Sequence, residues 1–428
     1  MENYSIVIFI MALMIGLSAI AGKIKIPYPV LLIAAGIGLG FVPQLPNIAL
    51  NPEVVFLIFL PPLLFDAAFN IRFKEFTTNI NTITTLAIPL VFITATGIAV
   101  TAHYCIPGFG WPESFVLGAI LSATDAVAAM SITKGLGLSH KTSTILEGES
   151  LVNDASALVA YRFAVAAVTG TAFVLWKASL EFVLLMLGGA AVGFVMGKVL
   201  AFIISRVKDN MVTISFMILM PFVTYLLAEE IRVSGVIAVV ILGLGISRFS
   251  KKIFPDKIKQ ESKAIWDIII FLLNGFIFIL IGLPFPYLIR NLDKSEILPY
   301  IGYGFLITVV ALALRTARVF AQQFNLQKAF KSTKNRRRKI SEQALLDAKT
   351  SLIISWSGMR GIVSLAIAIG LPATLKDGSP FPQRNAIVFI SVVVVLFTLI
   401  GQGLTLPWVV RKLSTPRQPT EEVAESNA

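Results

Sequence analysis

The sequence predicts an all-α polytopic membrane protein with about thirteen transmembrane helices. Three observations support this fold class. Hydrophobic residues make up 56% of the 428 residues and charged residues only 14%, a balance that soluble domains of this length do not show. The mean hydropathy is +0.83. The apolar residues also cluster into windows of the ~20 residues that a bilayer-spanning helix needs.

About thirteen such windows follow one another along the chain, and we expect each to form one span. In chain order they cover residues 5–22, 28–44, 52–69, 81–104, 114–133, 145–170, 178–205, 210–230, 233–247, 268–289, 299–321, 349–372 and 386–410. They predict a single membrane domain over residues 1–412. Residues 413–428 are polar and contain Pro416 and Pro419, so we expect a disordered cytoplasmic tail there.

The loops between the windows predict how the spans are oriented. Odd-numbered loops carry most of the lysine and arginine residues, including the run Arg336–Lys339, whereas even-numbered loops carry few. Cytoplasmic loops of membrane proteins are enriched in these residues, so the N-terminus is expected outside and the C-terminus in the cytoplasm. This placement accounts for the net charge of +12, and binding of nucleic acid is not expected.

The span count also predicts an inverted repeat. Six spans on either side of a single linking span would enter the membrane from opposite sides, which is the usual plan of secondary transporters. The fifth span contains the polar run 122–125, and the twelfth contains Gly358, Arg360 and Gly361. We therefore expect discontinuous helices at spans five and twelve. Broken helices at equivalent positions of two inverted halves indicate a substrate site near the bilayer midplane.

Ionisable residues inside the windows are the candidates for that site, because a charge at bilayer depth is costly and is retained for function. They are Asp66, Asp125, Glu147, Glu149, Asp154, Arg162, Arg315, Arg318 and Arg360. We expect some of the acids to pair with the arginines and one or two to remain unpaired. A carboxylate left unpaired in a water-filled cavity offers hard oxygen ligands to a cation such as Na⁺. Burial also favours the protonated form of a carboxyl group, so protons and cations would compete for it.

The sixth span carries the densest group of these residues. Asp154 and Ser150 lie four residues apart and share one helix face. Glu149 and Asn153 share the adjoining face. We interpret Asp154 as the binding group and Glu149 as half of a salt bridge with Arg360.

Two further acids have open roles. Asp125, next to Thr124 in the fifth span, is either an ion ligand or a group that stabilises the helix break. Asp66, at the cytoplasmic end of the third span, is either a ligand or a solvated helix cap. His103 and His140 do not belong to a group of metal-ligating residues in the sequence, and no resident cofactor is expected.

Six segments resemble motifs of the monovalent cation/proton antiporters of the NhaP and eukaryotic Na⁺/H⁺ exchanger type. They are Phe59–Asp66, Ser122–Val127, Glu147–Asp154, Val233–Val236, Gly358–Gly361 and Gln402–Thr405. They occur in the order and on the spans of that family, and the resemblance covers essentially the whole membrane domain.

The resemblance implies an NhaA-like inverted-repeat antiporter fold that exchanges Na⁺ or Li⁺ for H⁺ in pH and sodium homeostasis. It implies that Asp154 carries the ion or proton, lined by Ser150, Thr124 and Asp66, and that Asn153 interacts with the broken fifth helix. The Asn-Asp pair at 153–154 is similar to the pair at the same place in the electroneutral branch of the family. The resemblance further implies a homodimer, with a structural Glu149–Arg360 salt bridge in each chain. Without a long cytoplasmic region, a bacterial inner membrane is the expected location.

Three alternatives remain at this point. K⁺/H⁺ or mixed Na⁺/K⁺ exchange uses the same oxygen ligands, since selectivity depends on cavity size and rigidity. An ion channel is disfavoured because the sequence has no repeated filter-like loop. An intramembrane aspartyl protease also needs two membrane aspartates. The Tyr-Asp and Gly-x-Gly-Asp motifs of such enzymes do not occur in this sequence.

Overall fold

The computed structural model describes residues 2–24, 28–42, 52–133, 136–170, 175–253, 256–290, 292–331, 342–375 and 378–413. Within these ranges the regular structure is helical, apart from one isolated β-bridge between Thr374 and Pro380. The prediction of an all-α protein is therefore confirmed. Of the predicted tail at 413–428, Leu413 ends the last helix, and residues 414–428 lie outside the described ranges.

Eighteen α-helices occur in the described ranges. In chain order they are α1 (Glu2–Ile24), α2 (Tyr28–Gly40), α3 (Pro52–Asn70), α4 (Phe73–Ala87), α5 (Pro89–Cys105), α6 (Trp111–Ile120), α7 (Ala126–Thr133), α8 (His140–Val168), α9 (Leu175–Arg206), α10 (Asn210–Glu230), α11 (Gly235–Ile253), α12 (Asp256–Gly282), α13 (Phe285–Arg290), α14 (Lys294–Lys331), α15 (Ala348–Trp356), α16 (Ile362–Ile369), α17 (Arg384–Phe397) and α18 (Gly403–Leu413). A 3₁₀ turn covers Glu342–Ala344, and a π-helical turn at Thr398–Gln402 joins α17 to α18.

The helices have the length and composition of a multi-pass membrane protein. Among the described residues, seven helices are long and apolar enough to cross a bilayer, and four shorter apolar helices accompany them. Every predicted window contains at least one helix. The membrane class is confirmed, whereas the exact number of thirteen crossings stays a prediction.

Both predicted interruptions are present. Residues 121–125 leave the helical conformation between α6 and α7, and residues 357–361 do so between α15 and α16. Two irregularities were not predicted. The fourth window is divided at Ile88 because Pro89 begins α5 and its ring cannot continue the preceding helix. The π-helical turn in the last window has no comparable signal in the sequence.

The helices pack into two groups, which we name by their members. The first bundle comprises α1–α3 and α9–α12, and the second bundle comprises α4–α8 and α14–α18; contacts within each group outnumber those between them. The chain passes from one group to the other between α3 and α4, between α8 and α9, and between α12 and α14. Both broken helices and the sixth span (α8) lie in the second bundle, so one group of helices holds the candidate site.

Candidate functional site

The two helix breaks meet each other. The backbone N–H of Asp125 donates to the carbonyl oxygen of Met359 at 2.8 Å. The Asp125 carboxylate then serves two half-helices: Oδ1 accepts from Val127 N at 2.8 Å at the start of α7, and Oδ2 accepts from Ile362 N at 3.3 Å at the start of α16. Helix N-termini have unpaired N–H groups and a positive dipole end. Asp125 therefore stabilises both breaks, which was one of its two predicted roles.

Arg360 stabilises the C-terminal end of a helix, whereas Asp125 stabilises the N-terminal ends of two. Its Nε donates to Leu121 O at 3.0 Å, just beyond the end of α6, and its Nη1 donates to Gly358 O at 2.6 Å. The backbone N–H of Arg360 donates to Thr398 Oγ1 at 3.1 Å, in the π-helical turn. The guanidinium group is fully buried. It places a positive charge on carbonyl groups that would otherwise lack partners.

Two glycines permit this crossing. A Cβ atom on Gly361 would overlap the Asp125 carboxylate, and a Cβ atom on Gly358 would overlap the Arg315 side chain. These close approaches explain why the break contains the pattern Gly-Met-Arg-Gly.

We therefore expect Gly361→Ala to lower the free energy of unfolding by about 1–3 kcal/mol, because the added methyl group displaces the carboxylate that caps α7 and α16. Thermal unfolding in detergent would measure the effect. Gly16→Ala is the matched control, since a Cβ there meets nothing. Equal melting temperatures for the two variants would contradict this account of the crossing.

The prediction that Glu149 forms a salt bridge with Arg360 is wrong. Glu149 pairs instead with Arg315 of α14 through both carboxylate oxygens, with Nη2 2.9 Å from Oε2 and Nη1 bonded to Oε1. The two side chains are only 1% and 2% exposed, and Arg315 Nε donates to Ile354 O at 3.1 Å. The reason is geometric: the Arg360 guanidinium is turned towards the carbonyl groups of the breaks, while α14 brings Arg315 beside α8. The sequence marked both arginines as buried candidates but contains no information on which of them lies nearer Glu149 in space.

Helix α8 also holds the break of the fifth span in place. Asn153 Nδ2 donates to Thr124 Oγ1 at 2.7 Å and to Thr124 O at 3.3 Å. Thr124 Oγ1 in turn donates to Glu149 Oε1 at 3.1 Å. Ser150 Oγ donates to Thr124 O at 3.2 Å and accepts from Ala126 N at 3.3 Å. The contact expected between Asn153 and the broken helix is present, and Ser150 and Thr124 lie together as predicted.

Asp154 differs from its acidic neighbours. The residue is 6% exposed, and its carboxylate has no hydrogen bond or salt bridge with any residue in the described ranges. The charge that acts on it is that of Asp125, another acid. A buried carboxylate without a partner is unfavourable unless a proton or a cation neutralises it. Within the described part of the chain, Asp154 is thus the acid of this cluster that has neither a salt bridge nor a hydrogen bond.

Asp66 is not joined to this cluster by a hydrogen bond. It is half-buried, accepts from Asn70 Nδ2 at 2.8 Å, and has Asp267, Lys263 and Glu147 as charged neighbours. Glu147 precedes Asp154 by two turns of α8, or ~10 Å. The structure therefore places Asp66 nearer the N-terminal end of α8 than Asp154 is, and its role as an ion ligand stays a prediction.

Two helices that break and cross beside a buried acid are the midplane architecture of secondary transporters. The chain belongs to the sodium/hydrogen exchanger family: the profile described as "Sodium/hydrogen exchanger, transmembrane" matches residues 8–412. This membership confirms the resemblance, and the family is one of transporters and not of enzymes. The aspartyl protease alternative therefore has no support from the family.

Similar proteins share most of this chain. It is 36% identical over 422 residues to the sodium, potassium, lithium and rubidium/H⁺ antiporter of Bacillus pumilus, in a match that covers 95% of this chain and 61% of that protein. The chain thus spans about three fifths of the length of that relative. It is 31% identical to the Na⁺/H⁺ antiporter NhaH of Halobacillus aidingensis, covering 95% of this chain and 97% of that one.

A solved structure supports the same fold. The sodium proton antiporter MjNhaP1 from Methanocaldococcus jannaschii superposes with a TM-score of 0.73 and 20% sequence identity. The match covers 96% of this chain and 99% of that chain.

Proposed function

We propose that the protein exchanges Na⁺ or Li⁺ for H⁺ across the cell membrane, one cation per proton, in pH and sodium homeostasis. The observation that carries this proposal is Asp154, a buried carboxylate without a protein partner in the described ranges, beside charged groups that all have salt-bridge or hydrogen-bond partners. One carboxylate that accepts either a proton or a cation couples the two fluxes whenever access to it alternates between the two sides. The cation is cargo, and no resident cofactor is required.

The neighbouring groups have distinct proposed tasks. Ser150 and Thr124 supply hydroxyl and carbonyl oxygens next to Asp154, which suits a hard monovalent cation. Asp125 sets the electrostatic field of the site while it caps two half-helices. Asp66, together with Glu147, attracts cations on their way from the cytoplasm. Asn153, Glu149 and Arg360 support the geometry and do not bind the ion.

The proposed architecture has thirteen spans in two inverted halves of an NhaA-like antiporter, with the N-terminus outside and the C-terminus in the cytoplasm of a bacterial cell. Two chains form a homodimer. In transport, the second bundle shifts against the first bundle and carries Asp154 from one side of the membrane to the other. The packing of the helices into two groups supports this motion, because few contacts have to be exchanged.

A second candidate is K⁺/H⁺ or mixed Na⁺/K⁺ exchange. The Bacillus pumilus relative is named as an antiporter of potassium and rubidium as well as sodium and lithium, and oxygen ligands serve all of these ions. Purified protein in vesicles with an imposed pH gradient would separate the candidates when Na⁺, Li⁺ and K⁺ are added one at a time. Repeating the assay with a membrane potential would report the stoichiometry. If no monovalent cation dissipates the gradient, the proposed function fails.

An ion pair at the outer ends of the helices offers a test of the motion. Arg162 Nη2 of α8 lies 3.0 Å from Glu229 Oε2 of α10, and Glu229 Oε1 accepts from Gly235 N at 3.3 Å. Arg162 is thus half-exposed and paired with Glu229, and not buried as its place in the sequence suggested. The pair joins the two bundles and would have to separate if they shift.

We expect a cross-link between R162C and E229C, formed with a short bis-thiosulfonate reagent that spans the length of the two original side chains, to stop exchange and a reductant to restore it. The background would be Cys105→Ser, since Cys105 is the only cysteine of the chain. The control is the same cross-link between L185C and S234C, which joins two elements of the first bundle where Ser234 N donates to Leu185 O at 3.2 Å. Full activity of the cross-linked R162C/E229C protein would rule out the proposed motion.

A further inference from the structure

The last span presents a line of polar side chains to the second helix break. Thr398 Oγ1 accepts from Arg360 N at 3.1 Å, and Thr405 Oγ1 accepts from Trp356 Nε1 at 2.9 Å. These two contacts hold the two ends of the segment between α15 and α16. Gln402 lies between them in the sequence, four residues after Thr398 and three before Thr405. The residues on either side of Gln402 along the last span thus contact both ends of this segment.

The Gln402 side chain is unusual in its lack of partners. The residue is 5% exposed, yet neither Oε1 nor Nε2 has a hydrogen bond with any described residue. Buried polar groups in native proteins are nearly always hydrogen-bonded, to protein or to ordered water. Gln402 also ends the π-helical turn, a local structure that occurs frequently at functional sites.

Free acceptors lie on the opposite side of this contact. A helix leaves its last four carbonyl groups without helical partners. At the end of α15, Ile353 O accepts from Ser357 N and Ile354 O accepts from Arg315 Nε. The next two carbonyl groups, of Ser355 and Trp356, accept no hydrogen bond from the described part of the chain. An unpaired carboxamide and two unpaired carbonyl groups therefore occur in two elements that contact each other through Thr398 and Thr405, and none of these groups is bonded directly to another.

We propose that Gln402 is a positioning residue of the transport site, whose carboxamide binds ordered water that donates to the free carbonyl groups of Ser355 and Trp356. Such a buried water typically makes about three hydrogen bonds to groups that would otherwise be unpaired. It would hold the end of α15 in register. The end of α15 in turn sets where Met359 O meets Asp125 N, and so sets the geometry beside Asp154. The effect on transport rests on the proposed function, whereas the water site does not.

The water site can be measured without transport. Met359 lies in the break and is 0% exposed, so hydroxyl radicals produced by a radiolytic pulse reach it mainly from bound water. We expect Met359 to be oxidised in the wild-type protein and several-fold more slowly in Gln402→Leu. Gln322→Leu is the matched control, because Gln322 is similarly buried, on α14, with an unpaired amide nitrogen. Equal Met359 oxidation in all three proteins would overturn the proposal.

Transport measurements test the positioning role. We expect Gln402→Leu to raise the cation concentration for half-maximal exchange by about tenfold, as for the loss of roughly one hydrogen bond at the site. The maximal rate should change little, Gln402→Asn should be intermediate, and Gln322→Leu should resemble the wild type. A loss of maximal rate and melting temperature together, at unchanged half-saturation, would show a merely structural role. Normal half-saturation in a Gln402→Leu protein, beside inactive Asp154→Asn, would refute this inference and leave the proposed function standing.

Discussion

Asp154→Asn is expected to abolish cation-dependent proton movement while the protein still folds. The substitution keeps the size of the side chain but removes the charge that would bind a cation and the site that would bind a proton. The carboxylate has no partner among the described residues, so its removal breaks no hydrogen bond or salt bridge found there. A neutral amide is also cheaper to bury than an unpaired carboxylate, and we expect an unchanged or higher melting temperature. Vesicle exchange and thermal unfolding in detergent would measure the two effects.

Asp125→Asn is the matched comparison for this experiment. Its carboxylate caps both α7 and α16, so the same chemical change should lower stability by about 1 kcal/mol through the loss of charged capping, and should lower transport as well. Loss of transport without loss of stability identifies a binding acid, and loss of both identifies a structural one. Wild-type exchange in Asp154→Asn would show that the binding acid is another residue.

Arg315→Met is expected to be the most destabilising single change in the site. It leaves Glu149 buried without its partner, and breaking a buried ion pair from one side costs roughly 3–5 kcal/mol. We expect a low yield of folded protein and a strongly lowered melting temperature, measured by size-exclusion chromatography and thermal unfolding. Arg318→Met is the control, since Arg318 lies one turn further along α14 and has no salt bridge within the described ranges.

The double variant E149Q/R315M tests the pairing itself. Neutralising both partners removes the unpaired charge, and such replacements often recover the loss. We expect most of the lost stability to return in E149Q/R315M, and no comparable recovery in E149Q/R360M. Recovery with Arg360→Met instead would restore the pairing expected from the sequence and contradict the observed one.

The sequence was informative wherever a property depends on neighbours along the chain. Apolar windows of bilayer length located the helices, because the cost of burying polar groups in lipid acts on each segment separately. Glycines and polar residues at 122–125 and 355–361 located both breaks for the same reason. The four-residue spacing of Ser150 and Asp154 placed them on one face of α8, since the helical period is a local property.

The tertiary structure decided every choice between helices. Arg315 and Arg360 are equally plausible partners of Glu149 in the sequence, and the positions of α14 and of the second break select Arg315. Whether a buried acid is matched or left without a partner is likewise settled by groups far away in the chain, as the contrast between Asp125 and Asp154 shows. A charge is neutralised by whatever lies within a few ångströms, and helical periodicity carries no information about how separate helices are placed.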